Sequence, residues 1–377
     1  MVQSHSLVSG RLPDFPWDQI TSYGDTARAH PDGIVDLSVG TPVDPTPEVV
    51  QQALRDAADS PGYPVTVGLP QTRQACVDWL ARRFGVTGLG LDAVLPVIGS
   101  KELIASLPTH LGVGPGDLVV QPTLAYPTYE VGAALVGARV LAADSLTAIG
   151  PERPRILWLN SPSNPTGKVL PVEHLRKVVE WCRERDVLLI SDECYIELTW
   201  SPESPAVSVL HPDVCGGSHE GILAVHSLSK RSNLAGYRCA FVAGDPAVVG
   251  ELLAVRKNLG LQMPGPQQRA MIAALEDDAH VDEQHARYAR RRRWLKDALE
   301  GAGFRIDHSE GSLYLWAQRQ TEEGPEPCLD TVAWFAERGI LVAPGSFYGR
   351  AGGQHVRVAF TATDERVGAA VDRLGRA

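Results

Sequence analysis

Residues 222–238 read ILAVHSLSKRSNLAGYR, and the rest of the chain is best understood outward from them. An unbroken apolar run leads into Ser227-Leu228-Ser229-Lys230, and Arg238 follows eight residues on. Continuous rather than alternating apolar residues mark a strand buried on both faces, as in a parallel sheet. Polar residues directly after such a strand stand where open α/β sheets hold their ligands. Two hydroxyls, an amine and a guanidinium gathered there suit a phosphate and a reactive amine. A lysine amine is ordinarily protonated, with a pKa of about 10.4. Desolvation and neighbouring cations lower that value enough for imine chemistry. A lone lysine after a strand is usually a solvated loop residue, so the weight has to come from the rest of the chain.

Six more apolar runs share this character, at 93–98, 117–121, 139–142, 156–159, 187–190 and 239–243. Helical stretches intervene near 100–111, 128–137, 172–185 and 246–259. Upstream, 46–58 reads as a helix with Thr46 as N-cap, Pro47 in the first turn and Glu48 at the positive end of the dipole. Residues 71–84 read as an amphipathic helix stopped by Gly85. The alternation is that of a doubly wound α/β fold with a mostly parallel central sheet. Beyond 260 it gives way to a long helix over 267–302, short strands at 304–307, 312–317 and 355–359, and helices near 330–338 and 363–375. The expected organisation is a large α/β domain over 46–259, a smaller α+β domain from 11–45 and 260–377, and a flexible tail over 1–10. The length of 377 residues agrees, since single cores usually split beyond about 250–300 residues.

Four further polar clusters bear on chemistry. Ile98-Gly99-Ser100-Lys101-Glu102 turns a strand into a helix, where backbone N–H groups and the helix dipole favour an anion. Its spacing is not that of a P-loop. Asn160-Ser161-Pro162-Ser163-Asn164-Pro165-Thr166-Gly167 forms a rigid turn that can present Asn164 to a ligand oxygen. In Ser191-Asp192-Glu193-Cys194-Tyr195, a carboxylate at the end of a buried strand needs a partner, either an arginine or a cationic ring nitrogen. In His355-Val356-Arg357-Val358-Ala359, the arginine is either a surface residue or a planar fork for a carboxylate. Each cluster alone is weak. The NPTG, SDECY and SLSK groups in that order, each directly after an apolar strand, are not a chance arrangement.

Composition narrows the class. Lys and Arg number 35 against 45 Asp and Glu, for a formal net charge of −10, which argues against nucleic acid or an anionic membrane as the main partner. Six cysteines without a CxxC pair read as reduced thiols of a cytoplasmic protein. The first residues lack the apolar core of a secretory signal, and no run approaches the ~18 apolar residues of a membrane helix. His211, Cys215 and His219 lack the spacing of a zinc site, so no metal is expected. The run Arg290–Arg293 sits in a helical stretch and reads as a solvated helix face.

The ordered motifs resemble those of the fold-type-I aminotransferases that use pyridoxal 5′-phosphate, over essentially the whole chain from about residue 16. The resemblance implies that Lys230 carries the cofactor and that Asp192 faces its pyridine nitrogen. It places Asn164 and Tyr195 at the phenolic oxygen, and Ser100, Lys101, Ser227, Ser229 and Arg238 around the phosphate. Tyr126, in Ala125-Tyr126-Pro127-Thr128-Tyr129, matches the aromatic residue stacked on the ring. Tyr63, in Gly62-Tyr63-Pro64, matches a tyrosine reaching the phosphate of a neighbouring subunit, which implies a homodimer with shared active sites. Gly40, Asn164 and Arg357 match positions that contact the substrate. The implied catalytic group is Lys230, Asp192 and Tyr195, acting on an amino acid and a 2-oxo acid.

A narrower likeness is to the actinobacterial N-succinyldiaminopimelate aminotransferases of lysine and diaminopimelate biosynthesis. It is carried by FPWDQI (15–20), HPDGIVDLSVGTPVDPTP (30–47), PVIGSKELIASLPT (96–109), LNSPSNPTGKVL (159–170) and RGILVAPGSFYG (338–349). The same residues are compatible with an aminotransferase for another donor, such as aspartate or an aromatic amino acid, or with a lyase on the same fold. A cofactor-binding regulatory module ranks last, because no DNA-binding segment is attached. Residues 15–17, 262–263 and 347–348 are candidates to line the distal substrate pocket.

Overall fold

The seven apolar runs between residues 94 and 244 become the seven strands of one sheet. The computed structural model describes residues 8–375. Across the sheet the strands run Val94–Val97, Ala240–Gly244, Ile222–Ser227, Leu188–Asp192, Ile156–Asn160, Leu118–Gln121 and Arg139–Ala142. All neighbours are parallel except Ala240–Gly244, which is antiparallel to both of its partners. Because side chains alternate across a strand, the sheet feeds two cores. Leu157, Leu159, Leu189, Ala224 and Phe241 pack on one side; Ile156, Trp158, Ile190, Leu223 and Val242 pack on the other. This explains the continuous apolar runs. A third core gathers Tyr314, Trp316, Phe335, Val356 and Val358 of the smaller unit around an antiparallel sheet.

The helices flanking the sheet fall close to their expected positions, at Ser100–His110, Thr128–Val136, Val172–Glu184 and Pro246–Leu259. The helix Pro70–Phe84 stops at Gly85, whose left-handed backbone (φ +64°) ends it. Thr46 is not an N-cap. The helix begins at Glu48 with Pro47 in the cap position, and the Thr46 carbonyl instead accepts a bond from Gln51 Nε2 at 2.8 Å.

The single helix expected over 267–302 is two, Gly265–Glu276 and Ala279–Gly301. Asp277 is extended, and its carboxylate captures the Ala279 N–H at 3.1 Å and His280 Nδ1 at 2.8 Å. Asp278 is tied to Arg82 of another helix. A side chain that bonds its own backbone competes with the helix. The first of the two helices belongs with the large sheet, since Met263, Ala270, Met271, Ala274 and Leu275 pack into its core. The expected boundary at 259/260 therefore does not coincide with the division between cores.

The arginine run is a solvated face only in part: Arg293 is exposed, but Arg291 and Arg292 are engaged. Arg291 is 2 % exposed and forks onto Asp44 at 2.6 and 2.7 Å, with Asp364 on its Nε at 2.6 Å. Arg290 also pairs with Asp364, and Arg292 donates to the Ser309 carbonyl at 2.7 Å. Of the expected tail, residues 8–11 form a short 3-10 turn, and the remainder lies outside the described residues.

Candidate active site

The carboxyl ends of three adjacent parallel strands build the floor of one cavity. Register sets Asn160 opposite Asp192 and Asp192 opposite Val225, two residues before Ser227. The strand order reverses beside Ile156–Asn160, where such sheets open a crevice. The resulting cavity of about 440 Å³ is lined by Gly40, Ser100, Lys101, Tyr126, Asn164, Asp192, Tyr195, Ser227, Ser229, Lys230, Arg238 and Arg357. Every residue that the resemblance assigns to cofactor or substrate lines it except Tyr63, which is 96 % exposed elsewhere on the surface. A larger hollow of about 750 Å³, at the opposite ends of the strands, contains none of them.

Asp192 is buried, with its side chain on the face of the sheet shared by Ile190. It accepts the Tyr129 hydroxyl at 2.7 Å and the Cys194 N–H at 3.2 Å. Tyr129 is itself locked by stacking on Trp158 at 4.7 Å. Burial raises the Asp192 carboxyl above its ordinary range, opposed by hydrogen bonds from Cys194 and Tyr129. Among the described residues no cation pairs with it. A buried carboxylate with neutral donors only and an open cavity wall suits a cationic ring nitrogen.

Asn160 holds the neighbouring turn. Its Nδ2 donates to the Asp192 carbonyl at 2.9 Å, and its Oδ1 accepts the Asn164 N–H at 2.7 Å. Asn164 Oδ1 in turn accepts from Arg357 Nη1 at 2.9 Å, while Arg357 Nη2 donates to the Ser38 carbonyl at 2.7 Å. Arg357 is 3 % exposed, its guanidinium lies 3.9 Å from the Tyr314 ring centre, and among the described residues its Nε has no partner. A buried fork with an unsatisfied donor fits a carboxylate ligand.

Lys230 follows Ser227 in the short helix Leu228–Arg231, and its amine donates to the Gly40 carbonyl. Burial lowers its pKa, Tyr314 opposes the shift, and Arg357 and Arg238 add to it. Ser227 Oγ donates to Ser229 Oγ at 3.0 Å. Beside them, Gly99 (φ +102°) opens the helix Ser100–His110, and a Cβ there would overlap the Arg238 guanidinium. Bare helix N–H groups, two hydroxyls and that guanidinium together make an anion cup. Tyr126 lies beside the cavity with its hydroxyl raised to about 12 by burial.

Several residues that shape this site carried no sequence signal. Tyr129 lies three positions after Tyr126 but faces a different neighbour. Tyr314 enters through cross-strand pairing, since Trp316 stands opposite Arg357 and Tyr314 is its diagonal neighbour. Of the distal-pocket candidates, Phe15 and Trp17 line the cavity, and Phe347 packs on Trp17 at 5.5 Å. Tyr348 lies under Arg357. Met263 is instead a core residue, and Gln262 bonds Thr66 away from the cavity. Among the described residues no cluster of acidic, histidine or cysteine side chains could hold a metal ion, and no helix is long and apolar enough to cross a membrane.

Residues 32–374 match the family model for aminotransferase class I and II. The chain is 62% identical, over 97% of its length and 86% of the other's, to a Mycobacterium tuberculosis protein named for aminotransferase activity. It is 58% identical to the 4-dedimethylamino-4-oxo-anhydrotetracycline transaminase of Streptomyces rimosus, over 96% of this chain and 99% of that one. Among solved structures, a Thermus thermophilus chain assigned as an N-succinyldiaminopimelate aminotransferase superposes with a TM-score of 0.85 at 27% identity. That match covers 96% of this chain and 100% of the other.

Proposed function

We propose that this chain, which belongs to the aminotransferase class I and II family and uses that family's pyridoxal phosphate, exchanges an amino group between N-succinyl-LL-2,6-diaminopimelate and 2-oxoglutarate. The observation that carries the substrate is a pair of cations, Arg357 and Lys101, that both line the cavity. Arg357 offers its buried fork. Lys101 points its amine toward the Phe15 ring, 6.0 Å away, and among the described residues makes no hydrogen bond or ion pair. A substrate that carries a second carboxylate besides the one at the reacting carbon suits a cavity lined by both cations, and N-succinyldiaminopimelate and 2-oxoglutarate both carry one.

The residues in the cavity fit the cofactor. Asp192 would face its ring nitrogen, and Asn164 and Tyr195 its phenolic oxygen. Tyr126 would stack on the ring. Ser227, Ser229, Arg238 and the N–H groups of Ser100 and Lys101 would hold the phosphate. When bound, the cofactor supplies the electron sink for charge developing at the substrate Cα. Arg357 and Gly40 hold the α-carboxylate so that the Cα–H bond faces Lys230. Lys230 would anchor the cofactor, and with its amine freed it would take the proton from the substrate Cα and deliver it to the cofactor carbon on the other side of the amino nitrogen. Burial lowers its pKa, which favours the neutral amine that accepts that proton.

Tyr63 would complete the phosphate cup of a second copy. Its exposure, together with that of Val43, Val49, Val65 and Leu259, supports a homodimer. A second reading is favoured by the 58% identity to an enzyme named for a polycyclic ketone: a bulky ketone would be the amino acceptor.

A donor panel with 2-oxoglutarate tests the proposal, using N-succinyl-LL-2,6-diaminopimelate, glutamate, aspartate and aromatic amino acids. The expected result is the highest kcat/KM for the succinylated donor. A preference for an aromatic donor, or turnover only with a polycyclic ketone acceptor, removes it. Turnover of one substrate without any oxo acid would indicate a lyase.

A further inference from the structure

Tyr195 follows a strand of the large sheet and Tyr314 opens a strand of the smaller antiparallel sheet, and their hydroxyl oxygens lie 2.9 Å apart in a buried contact. Only one proton can sit between two oxygens, so one hydroxyl donates and the other accepts. The surroundings differ for the two. Burial raises Tyr314, but the Arg357 guanidinium 3.9 Å from its ring centre and the facing Lys230 amine outweigh it and leave the phenol below its ordinary value. Tyr195 is pushed up by burial and by the adjoining phenol. The other ionisable groups around the pair are Asp192, Cys194, Tyr126 and Tyr348. The more acidic hydroxyl is the better donor. Gly40 leaves room for this arrangement, because a Cβ at that position would overlap the Tyr314 hydroxyl.

We infer that Tyr314 is a positioning residue whose hydroxyl donates to the Tyr195 oxygen, so that the Tyr195 proton turns into the cavity toward the ligand oxygen it meets there. The inference rests on the proposed placement of Tyr195 at the phenolic oxygen of the cofactor. A phenol that accepts one hydrogen bond donates a stronger one, because chained hydrogen bonds polarise each other. A strong donor at the cofactor oxygen holds negative charge there and so lowers the pH at which the Lys230-bound cofactor changes colour. Losing Tyr314 raises that pH.

The test is a pH titration of the visible absorbance of the holoenzyme, in wild type, Tyr314→Phe, Tyr195→Phe and Gly40→Ala. Tyr195→Phe should raise the midpoint most. Tyr314→Phe should raise it by about half a unit, roughly a threefold change in proton affinity. Gly40→Ala displaces the Tyr314 hydroxyl without removing it and should shift the midpoint in the same direction, which covers the case in which Tyr314→Phe folds poorly. A raised midpoint in Tyr195→Phe with wild-type values in the other two variants overturns the inference alone. If Tyr195→Phe also leaves the midpoint in place, the placement of Tyr195 falls and the inference falls with it.

Discussion

Replacing Tyr129 with Phe removes one buried hydroxyl and keeps the ring stacked on Trp158 at 4.7 Å. That hydroxyl donates to Asp192 Oδ2 at 2.7 Å. A hydrogen bond to a charged group contributes about 1.5–3 kcal/mol. Losing that donor costs the charged form of Asp192 about 2 kcal/mol and so raises the carboxyl pKa. Burial already holds this carboxyl above its ordinary range, so the variant moves it further in the same direction. For such a group the folded pKa exceeds the unfolded one, and the folded state binds more protons. Its contribution to stability is therefore complete below the unfolded value of about 3.9 and is lost as pH rises through the folded value. In Tyr129→Phe that loss extends to higher pH. At neutral pH the melting temperature should fall by about 2–3 °C for a chain of this length. The charged form of Asp192 is the one that pairs with a ring nitrogen, so the acid limb of the pH profile of kcat/KM should move upward. Scanning calorimetry and a pH series of initial rates measure the two effects. Wild-type values in both would refute the role given to this hydroxyl.

Three other substitutions follow from the same geometry. Arg357→Lys replaces a fork by a point charge, and kcat/KM for carboxylate donors should drop about 30- to 150-fold, or 2–3 kcal/mol; equal steady-state constants would remove Arg357 from the substrate site. Arg291→Ala leaves Asp44 without its forked partner, and thermal unfolding should report a loss of about 3–5 kcal/mol. A change within about 0.5 kcal/mol would mark an ordinary surface position instead. Lys230→Ala should abolish the visible absorbance of the holoenzyme in a spectrum taken after cofactor loading, and persistence of the band unchanged would displace Lys230 from its anchoring role.

Most of the large sheet was legible because strands buried on both faces write themselves as unbroken apolar runs; each run between 94 and 244 is a strand, although the edge strand Arg139–Ala142 is largely exposed. Polar residues at the ends of those runs, Asn164, Asp192 and Lys230 among them, stood out because an apolar strand leaves them little other reason to be there. The break at Asp277 was hidden, because both sides of it carry helical residues and the carboxylate that competes with the helix acts through its own backbone. The burial of Arg291 was hidden for another reason. Its partners Asp44 and Asp364 lie 247 and 73 residues away, and four arginines in a helix look the same whether or not carboxylates face them.

Local order determined the parts that act through their own segment: the strands, the turn at Gly99 that opens a helix, and the amine, carboxylate and amide at the strand ends. The tertiary structure decided everything that depends on which side chain meets which. It brought Tyr129 under Asp192, set the Tyr314 hydroxyl against Tyr195 and joined Arg357 to Asn164. It also left Lys101, among the described residues, without a hydrogen-bond or ion-pair partner. Those pairings arise from register, cross-strand neighbours and the meeting of two cores. None is encoded by spacing along the chain, and they tune the pKa values and the specificity of a site whose chemical groups the sequence already contains.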